Sequence, residues 1–470
     1  MTECTSSQLE FKGFGKRRVV GAFDGGRITS DGGVLLLREV AGGSALFGKF
    51  ASCFTDHRDP DLIEHTVESL VAQRALGLAC GYEDLNDHDA LRDDPLLAVA
   101  AGKADPMGED RARKRDKGHA LAGKSTLNRL ELTPSDADES SRYKKIVYHP
   151  EKIESFFVDA FLDAHTKEPE SIILDLDATD DPLHGHQEGR FFHGYYRCYC
   201  YLPLYVTCGD FVLAAKLRTS DRDGASGAVE EIARIVAQIR SRWPEVKITV
   251  RGDSGFAREE LMVWCESNGG DYILGLAKNA RLKAEIAAEL EIAKTQSEAS
   301  GAPVRLFKDF RYRTRMSWSR ERRVVGKAEH IPGKSNPRFV VTSLAADLID
   351  ERALYEDLYC ARGDMENRIK EQMELFADRT STATMRANQL RLWFSTLAYV
   401  LVNEVRRVGL FGTKMARAQC STIRTRLLKI GALVKVSTRR VWVSFSSSFP
   451  LQDLFDTALR NIHATYPLRC

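Results

Sequence analysis

The 470-residue sequence predicts an α/β protein. The expected plan is a mixed sheet with helices, interrupted by a β-strand insertion domain. A mostly helical N-terminal domain precedes it and a small basic C-terminal region follows. Three observations predict this. The chain is too long for one ordinary hydrophobic core. At Ser171 the apolar period changes from helical to alternating. Between about 280 and 340 an arginine-rich stretch of strand-like alternation breaks the α/β order. The boundaries read as 1–150, 151–280, 281–337, 338–405 and 406–470. The catalytic sheet would span the second and fourth segments, with the insertion between them.

Composition narrows the function only a little. Hydrophobic residues make up 43% of the chain, enough for packed cores. A net charge of +2 announces no polyanion partner, so any such partner must be read from local patterning. The ten cysteines form no CxxC pair and no regular framework, which suggests free thiols in a reducing cytoplasm. The opening "MTECTSSQLE" has no basic region leading into an apolar core, so no secretory signal is expected. The run "LWFSTLAYVLV" from Leu392 is too short to cross a bilayer and reads as a buried helix.

In order along the chain, "GAFDGGRITSDGGVLLLREVA" places turn glycines before a helix, and "DLIEHTVESLVAQRALGLACGYEDLNDHDALRDDP" keeps helical spacing. The run Arg111 to Lys124 is basic and turn-like, equally suited to gripping DNA ends or to a solvated loop. Then "SIILDLD", "YCYLPLYVTC" and "FVLAAKLR" read as strands, the last two joined by a turn at Gly209-Asp210. "SGAVEEIARIVAQIRSRWP" is an amphipathic helix. "VKITVRGDSG" is a strand, "REELMVWCESNG" a helix and "DYILGL" a strand. "RFVVTSL" resumes the sheet after the insertion. "ERALYEDLYCARGDMENRIKEQMELF" is a long helix, and "STRRVWVSF" a strand in the basic tail.

The acidic end of "IILDLDATD" admits two chemistries. In one, Asp175 is a nucleophile, because "DLDAT" resembles the first motif of haloacid-dehalogenase-type phosphatases. That family's later motif needs a carboxylate where this chain has Ala257. In the other, Asp177 joins Asp253, at the end of the fourth strand, and Glu366, on the later helix. Three carboxylates of this kind suit two Mg²⁺ about 4 Å apart, clamping a phosphodiester, with Mn²⁺ as a substitute. Asp175 shares a strand face with Asp177 and would support it, as would Thr179.

The helix favours the second reading. Tyr359, Arg362 and Glu366 follow the spacing Y-x2-R-x3-E, one turn apart each. This resembles the Tyr-Arg-Glu-Lys signature of DDE insertion-sequence transposases. "FDGGRITSDGGVLLLRE", "HGHQEGRFFHGYYRCYCYLPLYV" and "RGDSGF" are similar to the insertion-sequence family numbered thirteen-eighty. The signature lysine falls on Met373, and Lys370, one turn from Glu366, could supply the charge.

The resemblance implies a ribonuclease-H-like catalytic domain. It also implies a cut-and-paste transposase that binds terminal inverted repeats, cleaves them and joins the 3′ ends to target DNA as a homodimer. Tyr359, Arg362 and Lys370 would contact DNA, and so would Trp318, Arg320, Arg322 and Arg323 of the insertion, with Trp318 stacking on a flipped base. Arg311, Arg313 and Arg315 alternate on the same stretch. The different-class alternative is a DNA-binding protein derived from a transposase that has lost its chemistry. His184, His186, His193 and Glu188 raise zinc, but Gly185 and Gly189 favour a loop beside the catalytic strand.

Overall fold

Alternation along one strand sets the orientation of the larger sheet. In β1 (Ser171–Ala178), Ile172, Leu174 and Leu176 are buried in a core shared with the helices α1 (Pro150–Asp163), α2 (Ala228–Arg242) and α3 (Glu259–Ser267). Asp175 and Asp177 therefore leave the opposite face, since successive side chains of a strand alternate. The computed structural model describes residues 8–467, so the first seven residues of the segment read for a signal lie outside the described residues. The chain divides into two units, residues 149–396 and residues 1–148 with 397–470.

Within residues 149–396, β1 pairs antiparallel with β2 (Leu204–Cys208), which pairs with β3 (Phe211–Lys216) through the turn at Gly209. Gly209 has φ 56°, a conformation in which a side chain would be strained. On its other side β1 runs parallel to β4 (Lys247–Gly252), and β4 parallel to β5 (Asp271–Leu276). Parallel neighbours need a covering crossover, and the amphipathic α2 supplies it with Ile232, Ile235, Val236 and Ile239 turned inward.

The insertion departs from the sequence expectation. Its first part is helical, α4 (Ala280–Glu285) and α5 (Ala287–Ser300). Its long strands β6 (Val304–Tyr312) and β7 (Arg322–Ile331) form no separate sheet. They extend the main one through β8 (Arg338–Thr342), giving the order β3-β2-β1-β4-β5-β8-β7-β6, with Lys334–Ser335 also paired to β7. The reason is burial. Nine of the ten β7 residues are buried, including Arg322 and Arg323, so β7 is a central strand and no edge.

On the second face Ile273, Val325 and Val340 pack under Leu354 and Tyr355. Those two belong to a helical segment that starts at Glu351, widens to π turns over Leu354–Tyr359, tightens over Cys360–Arg362 and continues as α6 (Gly363–Glu374). The face left bare of α1–α3 is thus covered by the segment carrying Tyr359, Arg362 and Glu366.

Residues 1–148 and 397–470 form a unit built largely of helices. Val67–Cys80 is buried nearly all round, begins at Thr66, whose hydroxyl accepts from the Ser69 amide, and stops at Gly81 in the left-handed region. Its Arg74 is paired with Glu131 inside the core at 2.8 Å. Ala432–Val436, read within the basic tail, pairs with Val441–Phe445 and with Ile28–Thr29. In the run from Arg111, the Arg111 guanidinium binds Glu64 at 2.7 Å, whereas Arg113, Lys114 and Arg115 are exposed. The helix Met385–Glu404 has Leu392, Phe394 and Leu397 in the interior. No described helix is long and apolar enough to cross a membrane.

Candidate active site

The register of β1 against β4 decides which acids meet. Arg251 lies opposite Asp175 and Gly252 opposite Leu176. One step further along, Asp253 emerges beside Asp177 where the strands end. Asp253 is held in a tight turn, its carboxylate accepting from the Gly255 amide at 2.8 Å.

The helical segment reaches both strands through two arginines. Arg251 lies inside, only 6% exposed. Its guanidinium forks onto Asp175, with Nε to Oδ1 at 2.5 Å and Nη2 to Oδ2 at 2.8 Å. Its remaining Nη1 donates to the Leu358 carbonyl, at the end of the π turns. One side chain therefore ties β4, β1 and the helical segment together. Burial raises the Asp175 carboxyl above the ordinary range, with the Arg251 pair working against it.

Arg362 makes the second link. It donates to Asp177 Oδ2 at 3.2 Å and to Glu366 Oε1 at 3.2 Å. Burial, reinforced by the neighbouring charges of Asp253 and Glu366 and opposed by Arg362, pushes Asp177 up to about 6. Acids from the other strand end and from the helix thus bear on Asp177. Tyr359 is half-buried, and its hydroxyl reaches Gly275, where a Cβ would run into the phenol oxygen and where the Ser254 amide also approaches. Glu366 and Lys370 are exposed on α6, one turn apart, and Thr179 is half-buried after β1, its amide donating to the Pro203 carbonyl.

Hard carboxylate oxygens suit a divalent cation such as Mg²⁺, and an acid lifted to about 6 between two others is one whose charge such an ion would relieve. In donor chemistry the residues fit. Two of the side chains, Asp177 and Glu366, are drawn onto Arg362, and Asp253 is held by its own turn. Among the described residues, no three acidic, histidine or cysteine side chains stand close enough to hold a metal ion.

Several sequence expectations are corrected by burial. Trp318, expected to stack on a base, is 4% exposed, with the Arg322 guanidinium 5.5 Å from its ring centroid. Arg322 is locked by Glu259 at 2.6 Å and Glu266 at 2.8 Å, and Arg323 by Asp309 at 2.6 Å and the Leu344 and Ile349 carbonyls. Side chains so enclosed offer DNA nothing without a rearrangement of the core. Arg320 is exposed but pairs with Glu266. The reading of Asp175 as a phosphatase nucleophile fails too, since both oxygens are clamped by Arg251 and the residue is 4% exposed. Glu188 is engaged with the Met385 amide at 2.9 Å. The residue that sequence reasoning missed is Arg251. Strand alternation in "KITVRGD" would have placed it on the face of Asp175 once β1 and β4 were set side by side.

A family model described as "Transposase DDE domain group 1" matches residues 11–467. The chain belongs to that family of DDE transposases. Among solved structures, a piggyBac transposase synaptic complex with hairpin DNA matches at 13% identity, covering 94% of this chain and 87% of that one, with a TM-score of 0.41. No curated protein matches the chain.

Two outcomes follow from the buried charges. Arg251→Met strands a buried carboxylate and is expected to cost about 3–5 kcal/mol of stability, read by denaturant unfolding, with Asp175→Asn in the same chain recovering part of it. Asp181, 1% exposed just after β1, is pushed up to about 8 by burial, with Asp378 and Asp180 adding to it. Its folded value lies above the unfolded one. Its contribution is therefore fully present below the ordinary value of 3.8 and is lost as pH rises through about 8. Thermal melts across that window should show Asp181→Asn falling less steeply than the wild type, and gaining over it most at the alkaline end.

Proposed function

We propose that this transposase cleaves the terminal inverted repeats of an insertion sequence and joins the freed 3′ ends to target DNA. Asp177, Asp253 and Glu366 are the proposed catalytic acids on a ribonuclease-H-like arrangement. The observation that carries the reading is the meeting of Asp177 and Glu366 on one guanidinium, Arg362, beside the turn that holds Asp253. Support for the arrangement comes from the strand order β3-β2-β1-β4-β5, antiparallel on one side of β1 and parallel on the other, with a helix carrying the third acid across it.

Asp177, Asp253 and Glu366 would hold the divalent ions. When bound, two such ions supply Lewis acidity that activates a water or 3′-hydroxyl nucleophile and stabilises the leaving oxygen. The chain's own groups prepare that site. Arg251 and Asp175 fix the strand ends against the helix. Arg362 neutralises two acids while DNA is absent, and a DNA phosphate offers it a competing anion of suitable geometry. Lys370 and Tyr359 lie on the same segment, where an ammonium and a phenol can position the backbone. No covalent protein–DNA intermediate is required. Two ends must be processed together, so the active form is a homodimer on DNA, acting in the bacterial cytoplasm. The N-terminal segment to about residue 150, with its exposed Arg113, Lys114 and Arg115, is proposed to grip the DNA ends.

Labelled inverted-repeat DNA incubated with protein and Mg²⁺ or Mn²⁺ tests the reading. Asp177→Asn, Asp253→Asn and Glu366→Gln are each expected to lower cleavage about 100-fold or more, with DNA binding retained. Undiminished cleavage by Asp177→Asn would refute the assignment. Binding without cleavage in the wild type would favour a DNA-binding protein that has lost its chemistry.

A further inference from the structure

With Trp318 enclosed, the exposed aromatic side chains beside the site lie elsewhere. Asp181–Pro182, Cys198–Tyr201 and Phe191–His193 form a small sheet directly after β1, in that order. Its base is anchored. Tyr201 is fully buried and donates to the Glu188 carbonyl at 2.5 Å, the Glu188 amide donates to Ala383 at 2.9 Å, and Ser220 donates to the Phe191 carbonyl at 2.9 Å.

The outer part is solvent-facing and aromatic. Phe192 is 58% exposed, Tyr195 83% and Tyr199 45%. Phe192 and Tyr199 lie opposite each other in the ladder with ring centroids 5.6 Å apart. Tyr195 and Tyr196 meet edge to face at 5.0 Å, and Tyr196 lies 4.9 Å from His193. The rings hold one another in fixed orientations. Arg190 stacks 4.2 Å from the Tyr199 centroid, and Arg197 turns the hairpin in the left-handed region, at φ 57°.

Rings on an anchored hairpin, interleaved with guanidinium groups, have an identifiable complement. An apolar patch left in water needs an occupant. Arginine selects a phosphate backbone, and open aromatic faces select bases. A base inside a duplex has no free face and a blunt end offers only that of its last pair, whereas every unpaired base presents one, so unpaired nucleotides are the best-matched occupant. The surface also starts where the acidic strand ends, because Asp181–Pro182, three residues beyond Ala178, pairs directly with Cys200–Tyr201 of the hairpin.

We infer that the hairpin Phe191–Tyr201 is a stacking platform for unpaired nucleotides of a DNA end beside the proposed catalytic acids, with Phe192 and Tyr195 as its faces. The inference rests on the proposed action on DNA. The backbone entering the platform is neutralised by Arg190 and Arg197, so binding there tolerates any base.

Fluorescence anisotropy of the full chain with two labelled probes tests it. One is a short blunt duplex, the other the same duplex with a short 3′ thymidine tail. The wild type is expected to prefer the tailed probe by about tenfold, within the range of one stacked base. Phe192→Ala and Tyr195→Leu should lose most of that preference and keep the blunt-duplex affinity, while Tyr195→Trp retains both. Tyr195 is so exposed that its replacement does not threaten folding, and leucine keeps apolar area without a ring face. Equal affinity of the wild type for both probes, or an unchanged preference in Phe192→Ala and Tyr195→Leu, overturns the inference and leaves the proposed function standing. Failure to bind either probe overturns both. Variants that alter sedimentation of the free protein but keep the tailed preference overturn it in favour of a contact between two copies of this chain.

Discussion

A buried guanidinium is the constraint on which the site depends. Arg251 is committed on three sides, to both oxygens of Asp175 and to the Leu358 carbonyl. Two parallel strands and a helical segment more than 100 residues away along the chain meet at that one side chain. Removing a charged pair from water is costly, and it is tolerated only where the geometry satisfies nearly every donor and acceptor. The return is positional. With Asp175 and Arg251 fixed in register, the next outward-facing residues of the same strands are Asp177 and Asp253. The helical segment, pinned at Leu358, presents Arg362 and Glu366 to them.

That arrangement creates a problem of like charge. Asp177 rises to about 6 because it is poorly hydrated and faces two further acids. Arg362 answers it by bridging Asp177 and Glu366. A site proposed to bind divalent cations and polyanionic DNA has to be stable without either. Under the proposed function, an internal cation able to turn to a phosphate would meet both conditions, since its pairing with DNA would free the carboxylates.

Much of this was readable in the sequence, and the remainder was hidden for physical reasons. Alternation in "SIILDLD" and "KITVRGD" fixes which side chains share a face, and the Y-x2-R-x3-E spacing puts Tyr359, Arg362 and Glu366 on one helical stripe. The interior role of the insertion was not legible. "SWSRERRVV" looks like a basic surface because arginine is normally exposed, yet Arg322 is balanced by Glu259 and Glu266 from α3, and Arg323 by Asp309. Such partners come from elsewhere in the chain and carry no local signal. Trp318 followed them inside, under the Arg322 guanidinium and edge-on to Tyr312 at 5.8 Å. The π-helical widening at Leu354–Tyr359 also has no sequence mark, although it contains the Leu358 carbonyl that accepts from Arg251.

The measurement closest to the centre of this account is anomalous scattering from crystals of the protein with inverted-repeat DNA, soaked in Mn²⁺. The account expects manganese density within carboxylate reach of Asp177, Asp253 and Glu366 together, with Arg362 turned from Asp177 toward a phosphate. Density that avoids these three side chains, or an Arg362 still bridging Asp177 and Glu366 beside well-ordered DNA, would contradict it.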